Sequence, residues 1–150
     1  MIEFKKISSE SVPMTLLLEA DPSEIAIKKY LADSACFGAF DGDQIIGVCV
    51  SKSLNVSTSE IFNIAIDPEY QQKGIGSKLL QFVLKELTTI GYSKIELGTG
   101  SFGYQLSFYQ RHDFRVDSIL KDFFLDNYDN EIFENGIQHK DMLRLVCWLR

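Results

Sequence analysis

Two glycines, Gly74 and Gly76, stand where an apolar run, Ile64-Ala65-Ile66, has ended at Asp67-Pro68 and where helical spacing begins. A strand that feeds a glycine turn and then a helix presents the first N–H groups of that helix without internal partners. Those groups and the helix dipole bind anions, phosphate above all. Glycine lets such a ligand approach the backbone because it carries no side chain. Lys73 and Lys78 would add positive charge at the rim. A plain turning loop can have the same pattern. The segment lacks the Gly-Lys-Ser/Thr ending of a P-loop and the glycine interval of a dinucleotide site.

Few other residues form a chemical constellation. His112 and His139 are the only histidines, and neither has a second His or Cys at ligand spacing, so no metal site is expected. His112 reads as a helix C-terminal residue favoured by the dipole. Asp126, Tyr128 and Asn130 follow part of a calcium-loop pattern, but the tyrosine and the missing loop glycine argue against it. Cys49 has no sequence neighbour that would lower its pKa and reads as a buried strand cysteine rather than a nucleophile. No Gly-x-Ser-x-Gly elbow is present. The stretch Tyr128, Asp129, Glu131, Phe133, Glu134 mixes acids with aromatics. It reads equally well as the lining of a cation pocket and as a solvated loop.

The elements that must position these residues follow from periodicity. Ile2 to Ile7 suggests an opening strand. Val12–Glu19 reads as a short helix with Pro13 in its first turn. Asp21-Pro22 reads as an N-cap and first position for a second helix running to about Ala32. Ala35–Phe40 and Gln44–Ser51 flank Asp41-Gly42-Asp43, an antiparallel hairpin. Ser59–Asp67 is a strand. A helix then begins near Gly74, carries Ile75, Leu79, Phe82, Val83, Leu87 and Ile90 at helical spacing, and stops at Gly91. Lys94–Gly98 is a strand, Tyr104–His112 a helix, and Arg115–Leu125 and Met142–Leu149 are the last strands. Asp126–Asp141 is a polar loop with one helical turn. The central strand-helix-strand unit implies a parallel pair inside a mixed sheet.

At 150 residues and 45% hydrophobic, the chain has the size of one soluble domain with a real core. Its 15 basic and 21 acidic residues sum to −6, which argues against a nucleic-acid partner. Three separate cysteines, Cys36, Cys49 and Cys147, fit a reducing cytosol rather than a disulfide framework. No signal-like segment or membrane-length apolar run is present, so a cytoplasmic location and no membrane partner are expected.

The segment Gln71-x-x-Gly74-x-Gly76, after a strand and Pro68, resembles the acyl-CoA signature of the GNAT superfamily of N-acetyltransferases. A second element of that family, a tyrosine on a helix just before a Gly-Phe step, resembles Phe108-Tyr109-Gln110-Arg111-His112-Asp113-Phe114, with Asp113 in place of the glycine. The order of elements is similar along almost the whole chain. Glu60–Ile66, Leu97–Gly100 and Asn127–Gln138 look like one bacterial branch of the family.

The resemblance implies a mixed α/β fold over residues 1–150. Its mostly antiparallel sheet of six to seven strands is flanked by four helices, with splayed central parallel strands. It implies acetyl-CoA as cosubstrate, the backbone of Ile64, Ala65 and Ile66 along pantetheine, and Gln71, Gln72, Lys73, Gly74, Ile75, Gly76 and Ser77 around the pyrophosphate. Tyr109 takes the place of the family's acid, which protonates the departing sulfur. Glu60, at the start of the strand, is the matching base, acting through water. Asn63, an odd step from Glu60, should face the other way unless a bulge intervenes. Phe102 stands where the family often has a pantetheine-binding asparagine. The implied reaction is direct acetyl transfer to a primary amine of a small molecule or peptide in a ternary complex; a non-catalytic acyl-CoA-binding domain is the alternative. Oligomers are common in such proteins, and the strand Met142–Leu149 is a candidate interface of a homodimer, including by strand exchange; burial within one subunit explains its apolar sequence equally well.

Overall fold

The computed structural model describes residues 1–150. The chain runs β1 (Ile2–Ile7), α1 (Met14–Ala20), α2 (Glu24–Leu31), β2 (Ala35–Asp41), β3 (Gln44–Ser53), β4 (Thr58–Ile66), α3 (Ile75–Ile90), β5 (Lys94–Gly100), α4 (Tyr104–Arg111), β6 (Arg115–Leu120), α5 (Phe123–Asn127), β7 (Phe133–Glu134), β8 (Ile137–Gln138) and β9 (Met142–Trp148). Seven strands form one sheet in the order β1-β2-β3-β4-β5-β9-β6, and β7 and β8 form a small separate hairpin. Every pairing in the large sheet is antiparallel except β4 with β5.

That parallel pair is short. Only Thr58↔Lys94, Ser59↔Ile95 and Glu60↔Glu96 are in register, and from Ile61 to Ile66 β4 has no partner on this side. The sheet is thus open at its centre, with a free backbone edge along two-thirds of β4.

Each face of the sheet is covered by its own core. Leu79, Leu80, Val83 and Leu87 form one stripe of α3 and pack with Phe37, Ile95, Leu97, Leu145, Phe108 and Tyr109. On the opposite face, Leu16 and Leu17 of α1 and Ile27 and Tyr30 of α2 pack against Cys36, Val48, Val50 and Ala65. α3 ends at Gly91, whose φ of 122° and N–H bonds to Leu87 O and Thr88 O close the last turn. Ile90, expected on the apolar stripe, is exposed.

Two local expectations are corrected. The N-cap of α2 is Ser23, whose Oγ accepts from Ala26 N, while Asp21 directs its carboxylate to other donors. The strand expected over Arg115–Leu125 stops at Leu120. Asp122, at φ 62°, turns the chain, and Phe123-Phe124-Leu125 enters α5. Apolar residues in a row fit either element, and the left-handed aspartate decides between them. The C-terminal strand is interior within this chain: β9 lies between β5 and β6 and pairs with both.

Candidate active site

The turn before α3 is built for close approach. Gly74 occupies the N-cap at φ 80°, and Gln72 is also left-handed at φ 62°. The first intrahelical bond is Lys78 N to Gly74 O, so the N–H groups of Ile75, Gly76 and Ser77 precede the ladder and are free for an anion. Gln71 anchors the turn: its Nε2 donates to Ile66 O at 2.9 Å. Tyr70 donates its hydroxyl to Asp41 at 2.7 Å on the other side.

This turn opens into a cavity of about 330 Å³. Among the residues expected to hold the cosubstrate, Ile64, Ala65, Ile66, Gln71, Gln72, Gly74, Ile75, Gly76 and Ser77 all line it, and so does Tyr109. Lys73 does not; its ammonium sits 5.4 Å from the Tyr70 ring centre. The wall also includes Glu19 and Ala20 at the end of α1, and Tyr104, Gln105 and Phe108 on α4, to none of which the sequence assigned a role. Their one available signal was helical position next to residues already identified.

Tyr109 is 6% exposed and packs edge-on against Phe108 and Phe114. Burial, with the nearby Cys49 thiol, raises its pKa above the ordinary phenol range, so it stays protonated. Asp113, at φ 69°, takes the left-handed place where the family has glycine. His112 caps the end of α4 as expected and also reaches α3, its Nε2 lying 3.0 Å from Ser77 Oγ. Burial, helped by Arg111, lowers the His112 pKa below its usual value.

Glu60 does not line the cavity. It stands at the vertex where β4 and β5 part, and its Oε2 accepts from Arg144 Nη1 at 3.0 Å. Arg144 also reaches Glu96 at 3.4 Å. Burial pulls the guanidinium pKa down, but the two carboxylates outweigh it and hold the pKa above its usual value.

A bulge relates Glu60 to Asn63. Val50 pairs with Asn63 and Ser51 with Ile61, so Phe62 is an extra residue in β4. Ile61 packs in the α3 core, whereas Phe62 stacks on Tyr30 at 5.0 Å and Asn63 donates to Leu17 O and Tyr30 Oη. Glu60, next to Ile61 and opposite Glu96, therefore shares the α1-side face with Asn63. Simple alternation had placed them on opposite faces.

The acidic and aromatic loop is engaged elsewhere. None of Tyr128, Asp129, Glu131, Phe133 or Glu134 lines the cavity. Glu134 accepts from Tyr104 N at the start of α4 and meets His139 Nε2 at 2.8 Å, and Tyr128 donates to Asp21. Phe102 lies flat against the His139 ring, centroids 4.1 Å apart. No group of three or more His, Cys, Asp or Glu side chains is gathered as a metal site. No helix is long and apolar enough to cross a membrane.

Comparison with known proteins bears on the same residues. The model of the acetyltransferase (GNAT) family matches residues 4–114. An uncharacterized N-acetyltransferase of Bacillus subtilis (strain 168), YvbK, is 44% identical over 131 residues, covering 87% of this chain and 84% of that protein. The crystal structure of a GNAT family acetyltransferase from Elizabethkingia anophelis with acetyl-CoA bound superimposes with a TM-score of 0.93 at 38% identity, covering 99% and 98% of the two chains. A Bacillus subtilis acetyltransferase in complex with CoA gives 0.87 at 41% identity, again covering 99% and 98%. With the family model matched over most of the chain and a relative 44% identical, the chain belongs to the GNAT family of acetyltransferases.

Proposed function

We propose that this chain transfers the acetyl group of acetyl-CoA to a primary amine by direct attack within a ternary complex. The observation that carries this reading is the cavity itself, where the unpaired edge of β4, the free N–H groups of α3 and the Tyr109 side chain meet. The residues fit the cosubstrate: an extended arm can add to the free edge at Ile64 to Ile66 as a further strand, and phosphates suit the turn from Gln71 to Ser77. Acetyl-CoA supplies the thioester acyl group.

The rest is chemistry of the chain's own side chains. An alkylammonium, with a pKa of about 10, must lose a proton before its nitrogen can attack. Glu60 takes that proton through a water; Arg144 engages only its Oε2. As the C–N bond forms and the C–S bond breaks, Tyr109 donates its proton to the departing sulfur; the second proton of the attacking nitrogen restores the phenol, and the proton taken by Glu60 is released to solvent. Burial keeps the Tyr109 phenol protonated, so the proton is in place when the thiolate departs.

The test is a panel of amines with acetyl-CoA, followed by release of free thiol. Thiol release that depends on both substrates supports transfer. Tight acetyl-CoA binding by calorimetry without turnover on any amine would return the chain to a binding role.

A further inference from the structure

Two helix ends of opposite polarity open on the one cavity. α3 presents its N-terminus through Gly76 and Ser77, and α1 presents its C-terminus through Glu19 and Ala20. Such ends carry about half a positive and half a negative elementary charge respectively. Apart from Glu19, the wall consists of apolar, amide and hydroxyl residues, so Glu19 supplies the only formal charge in it.

That charge sits where the helix itself disfavours it. A carboxylate in the last turn adds to the negative end of the dipole, and this turn of α1 contains no basic residue to offset it. Glu19 is exposed and takes part in none of the ion pairs of the chain. A second acid, Asp21, is the C-cap of α1 but does not line the cavity. Asp21 is 8% exposed, and its carboxylate accepts only from neutral donors: Ser23 N, Tyr30 Oη and Tyr128 Oη. Asn63, on the same face of β4 and 4% exposed, has a buried Oδ1 with no donor. Neither Asp21 nor Asn63 lines the cavity, so the negative charge that its α1 end presents is that of Glu19, and no cation of the chain pairs with it.

We propose that Glu19 and the C-terminal end of α1 hold an ammonium group of the acceptor, and that this group is not the nitrogen that reacts, so the acceptor is a diamine or longer polyamine. This rests on the acetyl-transfer reading above. A carboxylate beside the reacting nitrogen would raise its pKa and leave less of the neutral form that attacks. The same carboxylate is favourable toward a charge that persists through the reaction. The α3 end then takes the anion of the cosubstrate and the α1 end the cation of the acceptor, and the overall charge of −6 favours approach of that cation.

The experiment compares 1,4-diaminobutane with 1-aminopentane, which has the same number of heavy atoms but one charge. Thiol release is followed for the wild-type chain and for Glu19→Gln. The wild-type kcat/KM for the diamine should exceed that for the monoamine by about tenfold or more, which is about 1.4 kcal/mol. In Glu19→Gln the two should come within about threefold, with KM for acetyl-CoA unchanged. Raising salt from about 0.05 to about 0.5 M should shrink the wild-type preference in the same direction. Glu19 is exposed, so Glu19→Gln should fold, and an unchanged Tm checks this. Equal rates for the two amines in the wild type overturn the proposal and leave the transfer reading standing. A diamine preference that survives in Glu19→Gln also overturns it. No thiol release with any amine overturns both readings.

Discussion

A phenol as deeply buried as Tyr109 keeps its proton, because desolvation disfavours the phenolate and the Cys49 thiol acts in the same direction. Its folded-state pKa lies above that of the unfolded chain, so the group stays a donor as pH rises through the usual phenol range. Tyr109→Phe should lower kcat about 10²-fold or more while leaving acetyl-CoA affinity nearly intact. Wild-type turnover in that variant would reduce Tyr109 to a packing residue between Phe108 and Phe114. Gly76 tests the other end of the cavity. A Cβ there would meet Ile66 and Phe108 at 3.6 and 3.7 Å, ordinary contact, whereas Gly74 has φ 80° and any substitution strains its backbone. Gly76→Val should therefore fold but weaken acetyl-CoA binding by at least about tenfold. Calorimetry showing unchanged affinity would separate this turn from the phosphates. These residues were legible because a turn motif and a tyrosine at fixed spacing announce themselves along the chain. Glu19 was not. A single glutamate near the end of an amphipathic helix has no pattern, and only the packing of α1 against β4 brings it to the cavity.

The order of helices and strands followed from periodicity, and the splay of β4 from β5 matched the implied fold. The bulge at Phe62 did not follow, since side-chain alternation contains no signal for an extra residue. That single insertion brings Asn63 round to the face that carries Glu60. The Gly98 and Gly100 pair on β5 was visible but had no assigned purpose. In the structure, a Cβ on Gly98 would meet the end of Met142, and one on Gly100 would overlap the His139 ring. Met142 is flexible and can move aside. His139 is held flat against Phe102 and joined to Glu134, which in turn accepts from the first N–H of α4. Gly100→Ala should then cost about 1–3 kcal/mol by overpacking and Gly98→Ala less. Denaturant midpoints test the order, and equal losses would mean that His139 yields as easily as Met142.

At the scale of the whole molecule, chain order and sheet order part company at the C-terminus. Every residue lining the cavity lies between Glu19 and Tyr109, yet the sheet that holds the cavity open is completed by β9. β5 is tied to β4 by three register pairs only, and on its other side it is paired with β9 from Lys94↔Trp148 to Gly100↔Met142. Leu145 is fully buried and Cys147 nearly so in the core beneath α3 and α4. Position in the sequence could not show this, because an apolar strand there reads equally well as an interface strand or as one buried within a single subunit. Within this chain β9 is paired on both sides, and the consequence is that the geometry of the splay depends on residues far from the site. A chain ending at Asp141 retains every residue of the cavity wall but leaves β5 held by its three pairs with β4 and the cover of the helices. It should show no cooperative thermal transition and no acetyl-CoA binding. Leu145→Ala in the full-length chain is the milder form of the same test, and removing that side chain should cost about 2–5 kcal/mol. Its effect on acetyl-CoA binding should follow the folded fraction and vanish at low temperature, where the variant is folded. If the shortened chain instead melts cooperatively and still binds acetyl-CoA, β4 and β5 hold their separation without β9, and the cavity is a local property of the segment from α1 to α4.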